Sequence, residues 1–154
     1  MEDYLEAIAA LKKGRDGVVR LRDIAKLMDV KSPTVNAALK TLGDKGLVVH
    51  EKYGFVNLTA KGEGVAREVQ RKHDTLYKFL TSILDIDEKT ASEDACKMEH
   101  AISSKTFEGL TKFIEFVDVG LHGDNPQWLK SFKHYLKTGK VLTCKMKELA
   151  KKKR

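Results

Sequence analysis

Cysteine is scarce in this chain, whose 154 residues contain only Cys96 and Cys144. Two thiols leave little for a disulfide framework and suit a reducing compartment. No apolar run approaches the length of a membrane span, and Met1 is followed by acidic Glu2 and Asp3 where a secretory leader would carry basic residues. The expectation is a cytoplasmic protein, neither secreted nor membrane-spanning. Internal repeats and low-complexity tracts are missing too, apart from the terminal Lys151-Lys152-Lys153-Arg154. Charge is what the chain has in quantity: 29 basic against 22 acidic residues give a net +7, which favours polyanionic partners. Part of that excess is the terminal run, which a solvated tail also explains. The length suits one domain or two small ones.

Residues 1–60 read in the order helix, helix, helix, hairpin. Leu5, Ile8 and Leu11 give the opening helix a buried face, and Gly14 to Gly17 end it. A short helix over Arg20 to Met28 carries Leu21, Ile24, Ala25 and Leu27, and Asp29-Val30-Lys31 supplies a tight turn. The next helix has the clearest start: Ser32 is a good N-cap, Pro33 suits the first helical position, and Val35, Leu39 and Leu42 form an inner stripe up to Lys45-Gly46. Two short helices joined this way make a helix-turn-helix, whose second helix can lie in the major groove.

After Gly46 the period becomes strand-like. Leu47 to His50 and Phe55 to Leu58 are β-prone runs around the turn Glu51-Lys52-Tyr53-Gly54, with a glycine where positive φ is expected. Such a hairpin beside a helix-turn-helix is the wing of a winged-helix domain; an ordinary small α+β module is the plainer account of the same order. Candidate DNA contacts on the third helix are Ser32, Pro33, Thr34, Asn36, Lys40 and Lys45, with Lys52 at the wing tip within reach of backbone phosphate. Each alone is just an exposed residue. What sets them apart is that they share an element that would enter a groove.

A second part begins at Thr59, a plausible cap for a helix running to about Leu84. Helices from about Asp87 to Ile102 and from about Ser104 to Val117 follow. Phe107, Leu110, Phe113, Ile114 and Val117 form a broad apolar face that suits either a buried core or a homodimer contact. Gly120 to Asn125 reads as a linker, and Pro126 to Tyr135 starts a further helix with Trp128, Leu129, Phe132 and Leu136 on one side.

Metal-ligand chemistry stands on two of these helices. Cys96, Glu99 and His100 are at i, i+3 and i+4, so they share one face spanning roughly 100°. His73 occupies a place in the apolar stripe Val69, His73, Leu76, Leu80, Ile83 where a hydrophobe is expected, so its imidazole points inward at something. The plain alternative is a buried histidine satisfied by a carbonyl, beside a face with one polar pair.

Four segments carry a resemblance: Glu2-Asp3-Tyr4-Leu5-Glu6, Asp23-Ile24-Ala25 with Ser32-Pro33-Thr34-Val35, Leu58-Thr59-Ala60-Lys61-Gly62, and Ala95-Cys96-Lys97-Met98-Glu99-His100-Ala101-Ile102-Ser103. Together they resemble the diphtheria-toxin-repressor family over roughly residues 1–118. The resemblance implies a mainly α fold with a small β wing: a winged-helix DNA-binding domain at 1–62, a helical metal-binding and dimerisation domain at 63–118, and a C-terminal helical extension with a basic tail at 119–154. The form expected from the resemblance is the short one, without the SH3-like domain of longer members. It also implies a metal site at Asp3, Glu6, His73, Cys96, Glu99 and His100. Asp3 and Glu6 would otherwise be read as favourable negative charge at a helix N-terminus.

Two departures from the iron-type pattern stand out. Asp3 replaces a methionine ligand, and Tyr77 and Ser92 stand where an ancillary site has glutamate and histidine. From the manganese-type pattern the departure is Cys96, in place of a carboxylate. Ala37 likewise stands where some relatives have a polar base-reader. Three carboxylates, two imidazoles and one thiolate make a mostly hard donor set that suits Fe²⁺ or Mn²⁺ better than closed tetrahedral zinc. The expected protein is thus a homodimeric, metal-dependent repressor of metal-uptake genes, with no catalytic residues, bound to a palindromic double-stranded operator. Two rivals are a metallohydrolase using the same cluster, which would need a substrate pocket, and a metal-independent winged-helix regulator, which would leave six ligand-type residues as coincidence.

Overall fold

The computed structural model describes residues 1–14, 18–51, 54–119 and 126–141. Contacts divide the chain into two compact units, Met1–Lys72 and His73–Arg154.

The first unit contains α1 (Glu2–Gly14), β1 (Val19–Arg20), α2 (Leu21–Leu27), α3 (Ser32–Asp44), β2 (Val48–His50), β3 (Phe55–Leu58) and the start of α4 (Ala60–Lys78). The apolar spacings expected from the sequence close one core, with Leu5, Ile8, Val19, Ile24, Val35, Leu39, Leu42 and Val56 almost fully buried. Each such side chain stabilises the fold by roughly 1.5–3 kcal/mol relative to exposure. Leu27 stays outside this core and is exposed, so the inner face of α2 is narrower than its sequence suggests. Between α2 and α3, Asp29 takes a positive φ, and the Val30 amide reaches back to the Ala25 carbonyl at 3.0 Å. Aspartate tolerates that left-handed conformation better than most residues.

Helix α3 starts one residue earlier than expected. Lys31 is the extended residue before it, its carbonyl accepting from Thr34 N at 2.9 Å, and no side chain caps the end; Ser32 is already helical. The hairpin pairs Val48 with Leu58, Val49 with Asn57 and His50 with Val56, and Gly54 takes φ +77° in the turn as expected. A third strand lies on the other side of β3: β1 pairs Val19 with Val56 and Arg20 with Phe55. Two residues are too few to show an alternating pattern, so β1 exists by its pairing alone.

The start of α4 is fastened to the end of α3. Thr59 Oγ1 donates to the Gly46 carbonyl at 2.8 Å and accepts from the Gly62 amide at 3.0 Å, while Thr59 N donates to the Leu47 carbonyl at 3.0 Å. Lys61 Nζ adds a bond to the Lys45 carbonyl at 3.2 Å. Gly62 packs so closely that a Cβ there would sit 2.0 Å from the Leu47 carbonyl oxygen.

In the second unit, α4 ends in a π-helical turn over Phe79–Ile83, followed by α5 (Glu88–Glu99), α6 (Ser104–Val119) and α7 (Gln127–Thr138). Asp87 caps α5 by accepting from Thr90 N at 3.0 Å, and that amide bond holds its carboxyl below the usual range. Ser103 Oγ caps α6 through Thr106 N at 3.2 Å. Leu76, Leu80, Ala91 and Ala95 form one buried cluster; Ile83, Val117 and Leu129 form another, which anchors α7. Phe107 and Ile114 are buried, whereas Phe113 and Phe116 on the same helix are exposed. Helix α7 is also tied at Asp85, which receives Lys137 at 2.7 Å and Lys133 at 3.8 Å. The linker at Gly120 to Asn125, Cys144 and the basic tail lie outside the described residues.

Candidate metal centre and nucleic-acid interface

Ala91, Ala95 and Glu99 stand at i, i+4 and i+8 of α5 and are all buried, so one stripe of the helix that begins with two alanines ends with a carboxylate. Glu99 is 1% exposed and is the buried charged residue among those described. An ionised carboxylate cannot stay buried without partners. His73, half-buried on α4 with its side chain 23% exposed, supplies one: its Nδ1 is 2.9 Å from Glu99 Oε2. The inward-facing imidazole expected from the stripe is thus found. Its partner is the very glutamate that the resemblance implicates.

The second carboxylate oxygen is different. His100 Nε2 lies 3.3 Å from Glu99 Oε1, yet Oε1 has no hydrogen-bond partner among the described residues. The distance alone would permit a bond, but bonds weaken steeply away from the donor axis, so direction decides and Oε1 is left unsatisfied. Helix α5 stops at Glu99, three residues short of the expected end, with His100 as its C-cap. His100 and Cys96, four residues apart, lie on the exposed side next to the buried stripe. The three ligand-type residues therefore straddle the edge of the buried face.

The ring of Tyr77, one turn beyond His73, is nearly parallel to the imidazole, with an interplanar angle of 9° and centroids 6.4 Å apart. Tyr77 was not assigned this place from the sequence; its i+4 spacing from His73 is the signal that could have found it. In the first unit, Asp3 is exposed and Glu6 half-buried on α1, and their carboxylate oxygens come within 4.8 Å of each other. Both sets suit a divalent cation. A buried carboxylate oxygen without a partner, set beside two imidazoles, is better satisfied by a cation than by either histidine in this arrangement.

On α3 the candidate DNA contacts Ser32, Pro33, Thr34, Asn36 and Lys40 are all exposed, while Val35, Ala38, Leu39 and Leu42 are buried on its other side. Lys45 is exposed as well. Lys52 lies outside the described residues.

Two family models match the chain. Residues 1–56 match the family described as iron dependent repressor, N-terminal DNA binding domain, and residues 59–127 match iron dependent repressor, metal binding and dimerisation domain. An uncharacterized HTH-type transcriptional regulator of Methanocaldococcus jannaschii is 41% identical over 75% of this chain and 92% of its own length. The HTH-type transcriptional regulator MntR of Lysinibacillus sphaericus is 29% identical over 84% of this chain and 88% of its own. Among solved structures, the manganese regulator SloR aligns with a TM-score of 0.66 at 33% identity, over 75% of this chain and 53% of that one. The chain therefore spans about half the length of that solved relative.

Proposed function

The chain belongs to the diphtheria-toxin-repressor family of metal-dependent transcriptional regulators, and on that premise we propose that its six ligand-type residues hold Fe²⁺ or Mn²⁺ as the signal for operator binding. The observation that supports this reading most is Glu99, a buried carboxylate with one oxygen on His73 and the other unsatisfied beside His100. Asp3, Glu6, His73, Cys96, Glu99 and His100 would be the ligands. When bound, the ion would supply positive charge beside a carboxylate that is 1% exposed.

The chain's own residues do the rest. His73 orients the Glu99 carboxylate from α4, and Asp3 and Glu6 contribute from α1, the first helix of the DNA-binding part. The resemblance assigns these six residues to one ion; ion binding and operator binding would then be coupled, and operator DNA would tighten metal binding by the same factor. In a homodimer this fixes two α3 helices at the spacing of half-sites about one helical turn apart, or a multiple of it. The operator would be palindromic and the regulated genes those of metal uptake, repressed when the ion is plentiful.

Regulators of this family are not enzymes, and we assign no catalytic residue. The metallohydrolase and metal-independent readings give way to the family membership. We propose the domains as 1–62 for DNA, 63–118 for metal and dimerisation, and 119–154 as an extension, in a cytoplasmic protein. No helix among the described residues is long and apolar enough to cross a membrane. The test is operator binding with Fe²⁺ or Mn²⁺ and again after chelation. Equal binding in both conditions would remove the metal from the mechanism.

A further inference from the structure

Within the first unit, the geometry points to Arg20 as a DNA-backbone contact, a guanidinium held in place by the wing at the root of the helix-turn-helix. This rests on the DNA-binding reading above and adds a residue that lies outside both α3 and the wing tip. Four observations carry it. In the two-residue strand β1, Val19 is buried and Arg20 exposed, so pairing with β3 turns the arginine side chain outward. Its guanidinium carbon lies 5.6 Å from the centroid of the Phe55 ring, on the residue directly opposite in the register. No carboxylate pairs with Arg20 among the described residues, whereas its neighbour Arg22 has Asp23 at 4.0 Å and Lys12 has Glu63 at 2.9 Å. Finally, Arg20 is the residue immediately before α2, and the Leu21 amide reaches the Gly54 carbonyl in the wing turn at 3.4 Å.

In a helix-turn-helix the first helix crosses the DNA backbone while the second enters the groove, so a cation at the start of α2 stands where phosphates pass. A flexible arginine would lose conformational freedom on contact; one already resting on an aromatic ring loses less, and its planar fork still offers paired N–H donors to phosphate oxygens. With no acid paired to it among the described residues, its charge is available. Phe55 thereby becomes a positioning residue that need not touch DNA itself.

The probe is a mixed-sequence DNA duplex titrated with the full-length protein in Mn²⁺ over a range of salt. Arg20→Ala should lower affinity roughly 3- to 10-fold on this duplex and on the operator alike, and reduce the salt slope by about 0.9, the value of one phosphate. Arg20→Lys should restore the slope because the charge remains. Phe55→Leu should keep the slope and lose affinity only about 2- to 3-fold, since orientation, not charge, is removed. A parental slope for Arg20→Ala, or equal impairment of Arg20→Ala and Arg20→Lys with a lowered melting temperature, overturns the assignment and leaves Arg20 a structural residue. If the parent protein itself fails to bind any duplex in Mn²⁺, the DNA-binding reading falls first and takes this contact with it.

Discussion

His73 on α4 and Glu99 on α5, 26 residues apart in sequence, meet through Nδ1 and Oε2 at 2.9 Å, and the carboxylate of that pair is almost wholly removed from solvent. The contact joins two helices of the second unit before any ion is added. It also makes the glutamate dependent on its neighbours.

One expectation is therefore thermodynamic. In metal-free protein His73→Ala should destabilise the second unit by about 1–3 kcal/mol, because a buried carboxylate loses its hydrogen bond. The double change His73→Ala with Glu99→Leu should recover most of that loss, since no polar group is then left unsatisfied. Chemical denaturation followed by circular dichroism measures both, and a double variant weaker than the single would contradict the argument.

On the metal side, His73→Ala and Glu99→Ala should each abolish metal-stimulated operator binding, while Cys96→Glu should retain it and shift preference towards Mn²⁺. Affinity alone cannot show this, because later divalent ions bind tightly in the usual order whatever their biological role. Anaerobic titrations of activation with Fe²⁺ and Mn²⁺ are the measurement. A His73→Ala protein that responds like its parent would end the shared-site reading.

For the DNA face, Lys40→Ala and Asn36→Ala should differ in kind. Losing a phosphate contact at Lys40 should weaken binding to all sequences and flatten the salt dependence by about 0.9. Losing Asn36, if it meets a base edge, should relax discrimination at one operator position by about 1–3 kcal/mol per base pair and leave the slope alone. Competition binding against a library of singly substituted operators distinguishes the two.

Gly62 offers a test of the first unit. Gly62→Ala forces a methyl group against the Leu47 carbonyl, a backbone atom that cannot swing away, and should destabilise by about 1–3 kcal/mol. Gly64→Ala, on the same helix with nothing within 4 Å of the added carbon, should instead stabilise by about 1 kcal/mol. Thermal melts of the two variants should move in opposite directions.

Acid should loosen α7. Lys137, by hydrogen bond and then by charge, holds the Asp85 carboxyl below its ordinary value, with Lys133 assisting. A depressed carboxyl contributes its stability above the unfolded pKa and loses it as pH falls through the folded one, so the effect belongs to the acid limb below about pH 4. Trp128, the single tryptophan of the chain, sits on α7 and reports it by fluorescence. Asp85→Asn should remove that part of the acid transition and leave the neutral spectrum in place.

How much of this was readable beforehand follows from periodicity. Long helices announced themselves because their apolar residues recur: the stripe from Val69 to Ile83 is buried as spaced, and the His73 that interrupts it is indeed turned inward. The hairpin was legible from β-prone runs around Gly54. What escaped lies outside any periodic signal. β1 is held only by its partner strand, Ser32 lost the cap position to Lys31, and α5 stopped at Glu99, where the buried stripe ends. The carboxylate's two unlike oxygens could not be inferred at all, since sequence places a residue on a face but does not aim its atoms.

The pairing of β1 with β3 has a consequence for motion. By clasping Val19 to Val56, it closes the intervening chain, with α2, α3 and β2 inside, into one ring. A closed ring opens as a unit: amide hydrogens throughout α2 and α3 should exchange with solvent at a shared free energy, in a single cooperative opening rather than by fraying from one end. The segment that meets the operator would then be either wholly formed or wholly open, with little population of halfway forms.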